Sequence, residues 1–161
     1  MRELLWAAFD DDDGGFTEDD WSHAIGGIHV VAAQEGRIVA HASVVDRTLH
    51  IGDVPLHAGY VEAVATAPDR RGTGLGTQVM AEVGAIIRDG YELGALGTGA
   101  HGFYERLGWQ TWPGQAYLRT ATGTVRTPDE EGFIMVLRTP TTPPLDDAAP
   151  ISCEWRVGDV W

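Results

Sequence analysis

The sequence predicts an α/β chain, more finely an α+β arrangement in which a mixed set of strands shares one core with helices. Three observations predict it. The chain has 161 residues, 43% of them hydrophobic, which suffices for one packed core and is short for two. Its first half carries β-type apolar runs that end at a glycine-rich turn. That turn leads straight into apolar residues at helical spacing, so the order reads strands, helix, strand, helix, strand.

Residues 9–21 hold Asp10, Asp11, Asp12, Asp13, Gly14 and Gly15 and read as a loop, with Thr17 the N-cap of a short helix through Trp21 to Ile25. Gly26 and Gly27 stop that helix. Residues 28–34 and 37–45 are β-type runs separated by Glu35 and Gly36, a hairpin pattern, and 49–56 continues the meander. Residues 58–67 are strand-like and are closed by Pro68, which has no N–H for a ladder. Arg70-Arg71-Gly72-Thr73-Gly74-Leu75-Gly76 then opens a helix over 77–88, where Val79, Met80, Val83, Ile86 and Ile87 recur at helical spacing. Further on, 91–96 predicts a strand, 100–107 a short helix ended by Gly108, and 109–112 and 132–138 further strands. Residues 139–150 form a proline-rich connection to a tail ending Asp159-Val160-Trp161. No repeat or second domain is visible, so 1–161 is expected to be a single domain.

The net charge of −13, from 24 carboxylates against 11 basic residues, argues against a nucleic-acid partner, because phosphate backbones are bound through lysine and arginine. A cationic partner fits better, although acidity by itself also serves solubility. No apolar run approaches the ~20 residues that span a bilayer, so no membrane is expected and a cytoplasmic location is. The single cysteine, Cys153, excludes an internal disulfide and a cysteine-rich zinc site. No metal is expected.

A strand, a glycine turn and a helix bring free backbone N–H groups and the positive helix end to one spot, which suits a phosphate. The spacing Gly72-x-Gly74-x-Gly76 matches neither a Walker loop, which needs a lysine, nor the dinucleotide fingerprint. A tight turn that merely exploits glycine's tolerance of positive φ is the plainer alternative. Arg71-Gly72-Thr73-Gly74-Leu75-Gly76 resembles the pyrophosphate-binding turn of the GNAT acetyltransferases. The resemblance implies a bent mixed sheet flanked by helices, with splayed strands holding coenzyme A. It also implies acetyl-CoA as co-substrate, bound through Val64, Thr66, Arg71, Gly72, Thr73, Gly74, Leu75, Gly76 and Thr77, with the Val64 N–H polarising the thioester carbonyl.

Acetyl transfer to an amine needs an uncharged nitrogen and a proton acceptor. Glu62 lies in an apolar stretch where a solubilising charge would be badly placed, so it is the candidate base, with a paired structural glutamate as the alternative. Tyr104, in Phe103-Tyr104-Glu105-Arg106-Leu107-Gly108-Trp109, is by resemblance the candidate acid at the leaving sulfur; on its own it would equally be a core residue. His41 and His101 have a suitable unperturbed pKa for a base, although His41, in a strand, also reads as a satisfied core residue. Cys153 is expected to be inert.

Phe16-Thr17-Glu18-Asp19-Asp20-Trp21, Gly59-Tyr60-Val61-Glu62, Arg126-Thr127-Pro128-Asp129 and the terminal Trp155-Arg156-Val157-Gly158-Asp159-Val160-Trp161 look like the aminoglycoside 2′-N-acetyltransferases. The likeness extends over nearly the whole chain. It implies an antibiotic cleft lined by Asp20, Glu62, Glu130, Asp159 and the carboxylate of Trp161, and an activity that confers resistance. Gly97 and the 10–15 loop depart from the family pattern and bear on drug preference. The family also makes a homodimer an expectation. Other readings stay open at this level: another amine of the drug, a polyamine or peptidoglycan amino sugar, or an acyl-CoA sensor without turnover.

Overall fold

The computed structural model describes residues 1–9 and 15–161. The chain forms two compact units, the first of residues 1–45 and 61–85, the second of 46–60 and 86–161.

Unit 1 begins with helix α1 (Arg2–Ala8) and helix α2 (Glu18–Ile25). The predicted N-cap is present as a full capping box: the Thr17 hydroxyl accepts from the Asp20 N–H, and the Asp20 carboxylate accepts from the Thr17 N–H at 2.8 Å. Aromatic rings join the two helices. Trp6 meets Phe16 edge-on at 5.0 Å and Trp21 at 6.1 Å, while Phe9 stacks on Phe16 at 5.4 Å. Such pairs contribute about 0.5–1.5 kcal/mol each beyond their buried area.

Strand β1 (Ile28–Gln34) pairs antiparallel with strand β2 (Arg37–Ile51), from Ile28↔Val44 to Gln34↔Arg37. Glu35 and Gly36 both have positive φ, 52° and 76°, as a two-residue turn matching the strand twist requires. Strand β3 (Val54–Thr66) follows, then a 3₁₀ turn at Pro68–Arg70 and helix α3 (Leu75–Gly90). Val79, Met80, Val83 and Ile87 form the buried stripe of α3. This helix starts two residues earlier than its apolar period suggests, because its first turn is built from the glycine motif itself.

Unit 2 contains residues 46–60 of β2 and β3, residues 86–90 of α3 and the remaining elements: β4 (Leu93–Gly97), helix α4 (His101–Glu105), β5 (Gln110–Thr111), β6 (Ala116–Thr120), β7 (Gly123–Arg126), β8 (Ile134–Arg138) and β9 (Ile151–Glu154). The strand order is β5-β8-β4-β3-β2-β9-β6-β7. β3 and β4 are parallel, as are β6 and β9, whereas β8 is antiparallel to β4. The sheet is therefore mixed, as expected. Ile134, Met135, Val136 and Leu137 are all buried, so the continuous apolar run of β8 reflects cover on both faces.

Four strand features differ from the sequence expectation, the first being that the expected run 49–56 is divided by a turn at Gly52 and Asp53 between β2 and β3. β2 does not stop at Val45: Asp46 and Arg47 interrupt the apolar run, but Asp46 reaches His57 at 3.2 Å and Arg47 donates to the Val160 carbonyl at 2.8 Å, so the backbone stays extended. The β6–β7 hairpin was not foreseen, since β7 is exposed throughout and shows no alternation. β9 was not foreseen either; its four residues pair with β2 on one side and β6 on the other. No helix among the described residues is long and apolar enough to cross a membrane.

Removing the cap tests the local account of α2. Thr17→Ala is expected to cost about 1 kcal/mol and to lower Tm by about 2–4 °C in a thermal melt, while Thr17→Ser keeps most of the stability.

Candidate functional site

The candidate residues fall into one set in each unit. In unit 1, β3 brings Glu62, Val64 and Thr66 together around an irregularity. Ala63 has φ +53°, and with Glu35 it is one of two non-glycine residues of positive φ among the described residues. That conformation costs roughly 1–2 kcal/mol for a residue with a Cβ. Its effect is visible in the burial of the strand: Glu62, Ala63 and Val64 are all half-buried in succession, where a regular strand would alternate. The Oε1 atom of Glu62 is shielded from solvent.

After β3, the Ala67 N–H bonds to the Val39 carbonyl at 2.8 Å and the Arg70 N–H to the Ala67 carbonyl at 2.8 Å, which closes the 3₁₀ turn. The Thr73 hydroxyl donates to the Arg70 carbonyl at 2.6 Å, and Arg71 is fastened to the Ala8 carbonyl at 2.7 Å. Gly72 and Gly74 have φ +77° and +86°, and a Cβ at either would meet nothing within 4 Å. The turn is thus open to solvent. The α3 ladder starts with the Gln78 N–H on the Gly74 carbonyl at 3.0 Å, so the amides of Leu75, Gly76 and Thr77 precede the first intrahelical bond and face the helix start. A run of amides without intrahelical partners at the positive end of a 16-residue helix fits a pyrophosphate. The residues present therefore fit coenzyme A. Asp20 is half-buried and its Oδ2 is committed to the Thr17 cap, a duty legible in the Thr-x-x-Asp spacing but not assigned to it from the sequence.

In unit 2 the tail is held down. Arg47 donates to the carbonyls of Val160 and Glu154, Arg156 to that of Asp159 at 2.7 Å, and the Trp161 indole to the Thr127 hydroxyl at 3.2 Å. Trp161 is buried. Its backbone N–H bonds to the Asp159 carboxylate at 3.3 Å. A Cβ on Gly97 would lie 3.3 Å from the Trp161 carbonyl carbon and 3.5 Å from the Tyr60 hydroxyl, so the glycine leaves just enough room for the tail. The Arg47 guanidinium sits 4.7 Å above the Tyr60 ring. Sequence reasoning missed this arginine–tyrosine stack, since Arg47 lies 113 positions from the carbonyl it holds.

Glu130 is half-buried. Burial, then the nearby Asp159 and Asp129 carboxylates, raise its pKa above the usual carboxylate range. Such a repulsive acidic group is relieved by a cation. Tyr104 is buried in α4, and burial pushes its phenol up to about 12, so it keeps its proton at neutral pH. Its ring packs edge-on against Phe103 at 4.9 Å and Trp109 at 6.3 Å. The role as a core residue is met, and the hydroxyl remains a donor. His101 is tied to the Gly132 carbonyl at 2.6 Å and contacts that of Gly99 at 3.2 Å, which disfavours it as a base. Cys153 is fully buried, its Sγ is 3.4 Å from the Val160 carbonyl, and burial raises its pKa, as an inert thiol requires. The acidic run Asp10 to Asp13 lies outside the described residues.

A family model described as Acetyltransferase (GNAT) domain matches residues 1–112. A curated relative, the aminoglycoside 2′-N-acetyltransferase of Mycolicibacterium fortuitum, is 43% identical over 164 aligned residues, covering 99% of this chain and 83% of that protein. Among solved structures, a GNAT family acetyltransferase from Brucella melitensis in complex with acetyl-CoA superposes with a TM-score of 0.61 at 18% identity, over 93% of this chain and 84% of that one. A GCN5-related N-acetyltransferase from Kribbella flavida gives 0.59 at 22% identity over 71% of this chain; the chain spans only 31% of that protein's length. At these identities the structures speak for the fold.

The repulsion at Glu130 has a sign that can be measured. A carboxylate whose pKa is higher in the folded than in the unfolded chain destabilises the fold when ionised, and the penalty disappears as pH falls through that raised pKa and then the unfolded one. Glu130→Gln is therefore expected to raise Tm at pH 7 by about 1–2 °C, kept small because half the side chain stays in water. In melts at pH 4 the gain shrinks toward zero.

Proposed function

The chain belongs to the acetyltransferase (GNAT) domain family, and on that premise we propose that it transfers acetyl from acetyl-CoA to the 2′-amine of an aminoglycoside. The observation that carries the substrate is the 43% identity, along 99% of the chain, to a relative described as acting on that amine. The physical chemistry supports the same reading. A polycation is drawn to a chain of net charge −13, and the Glu130, Asp159 and Asp129 carboxylates gain from neutralisation.

Bound acetyl-CoA supplies the acetyl thioester. Gly72, Gly74 and the amides of Leu75, Gly76 and Thr77 hold its pyrophosphate, with Arg71 and Thr73 shaping the turn, and Val64 and Thr66 lie along its arm. Asp20, Glu130, Asp159 and Trp161 bind and orient the drug. Glu62, directly or through water, takes the proton that the attacking amine must lose. The Val64 N–H donates to the carbonyl oxygen as negative charge gathers there. As the new C–N bond forms and the C–S bond breaks, Tyr104 donates its hydrogen bond to the departing sulfur. With a phenol pKa near 12, Tyr104 serves better as a hydrogen-bond donor than by giving up its proton outright. The reading places one domain, 1–161, in the cytoplasm, with drug resistance as the consequence of turnover.

Thiol release from acetyl-CoA tests this with tobramycin, which has a 2′-amine, against amikacin, which has a hydroxyl there. Turnover is expected with tobramycin alone; equal turnover of both would overturn the 2′ assignment. Glu62→Gln is expected to lower kcat by about 10²–10⁴-fold. Tyr104→Phe is expected to lower kcat more than it raises KM, because its hydrogen bond matters mainly as the sulfur leaves.

A further inference from the structure

A chain of four groups runs through unit 1 that no step above uses. The Ile25 carbonyl lies 3.2 Å from His29 Nε2, His29 Nδ1 lies 2.9 Å from His41 Nε2, and His41 Nδ1 lies 2.8 Å from the Ala63 carbonyl. A carbonyl oxygen only accepts, so a hydrogen bond from the His41 ring to Ala63 puts a hydrogen on His41 Nδ1. The nitrogen–nitrogen contact needs one more, carried by one of the two rings.

Burial decides which ring holds it. His41 is fully buried whereas His29 is half-exposed. Burial lowers the His41 pKa, against the raising effect of the Ala63 bond, and the charges of His29 and the Met1 amino group add to the lowering. The consistent assignment is a neutral His41 with its hydrogen on Nδ1, accepting at Nε2 from His29 Nδ1. Ser43, which pairs with His29 in the β1–β2 register, brings no charge.

The acceptor at the far end is the carbonyl of Ala63, the residue in the left-handed conformation. A trans peptide is planar, so the Ala63 carbonyl and the Val64 N–H point in opposite directions. Fixing the first aims the second. We propose that His41 is a positioning residue for acetyl transfer: its Nδ1–H holds the Ala63 carbonyl, which turns the Val64 N–H away from the ring to serve as the oxyanion donor, and His29 keeps His41 in the required tautomer. The role rests on the acetyl-transfer reading, and it explains why a strained alanine persists in mid-strand, since the buried hydrogen bond offsets the conformational cost.

Two substitutions separate aiming from packing. Asparagine places its amide nitrogen where His41 Nδ1 stands, whereas glutamine places its own where Nε2 stands. His41→Asn is expected to keep kcat for tobramycin within about threefold of the unsubstituted enzyme. His41→Gln is expected to lose about 10- to 100-fold in kcat, up to the cost of deleting an oxyanion donor, with KM for acetyl-CoA changed less than about threefold. Full activity in His41→Gln, or an equal loss in both variants, would overturn the proposal. Nitrogen-15 NMR of the histidine rings in the unsubstituted protein decides independently of turnover and of variant folding. Hydrogen on His41 Nδ1 is expected at neutral pH, and hydrogen on His41 Nε2 with none on Nδ1 would sink the idea. An unsubstituted enzyme that acetylates nothing would count against the proposed function alone, with the ring tautomers still deciding for or against the His41 clamp.

Discussion

One residue in an unfavourable backbone conformation, Ala63, sets the arrangement on which the candidate chemistry depends. A β-strand normally turns successive side chains to opposite faces and successive peptides to opposite edges. With φ +53° in the middle of β3, that alternation is broken, and Glu62, Ala63 and Val64 are left half-buried together. The flanking Val61 and Ala65 are buried and anchor the strand on either side. Between those anchors, His41 Nδ1 lies 2.8 Å from the Ala63 carbonyl, the contact to which we assign the facing of the irregular peptide.

The same economy of backbone governs the glycine turn. Two left-handed glycines with empty space at their Cβ positions leave the backbone of the turn uncovered, and the following helix contributes its unbonded first amides. Arg70 and Arg71 stand here in a chain with 24 carboxylates, a local reversal of sign beside the proposed pyrophosphate turn. In unit 2 the sign is opposite: Glu130 is affected by its own burial and then by Asp159 and Asp129. On the proposed reading, local placement adds to net charge in matching the anionic and cationic reactants.

The acidic tail illustrates how packing turns composition into a site. In the sequence the acidity of residues 155–161 would allow fraying, but the closing valine and tryptophan are unlike disordered composition. In the structure, Arg47 and Arg156 hold the tail carbonyls, the Trp161 indole is buried on Thr127, and Gly97 provides the space beneath. The cost of ordering this segment is offset by burying an aromatic side chain and by hydrogen bonds to charged donors. Asp159 thereby gains a fixed position.

By itself the sequence determined what neighbours along the chain decide. The Thr17–Asp20 cap, the Glu35–Gly36 turn and the apolar stripe of α3 depend on residues two to four apart, and each was legible for that reason. The glycine motif and the Glu62 and Tyr104 contexts were legible as a family pattern, and the GNAT family followed. What the tertiary structure alone decided lies in contacts between distant residues: the persistence of β2 through Asp46 and Arg47, the short β9 between β2 and β6, the raised pKa of Glu130, and the left-handed Ala63 with its His41–His29 support. No local pattern marks these. An alanine with positive φ is disfavoured on its own, and its carbonyl meets a histidine ring from 22 residues away in sequence.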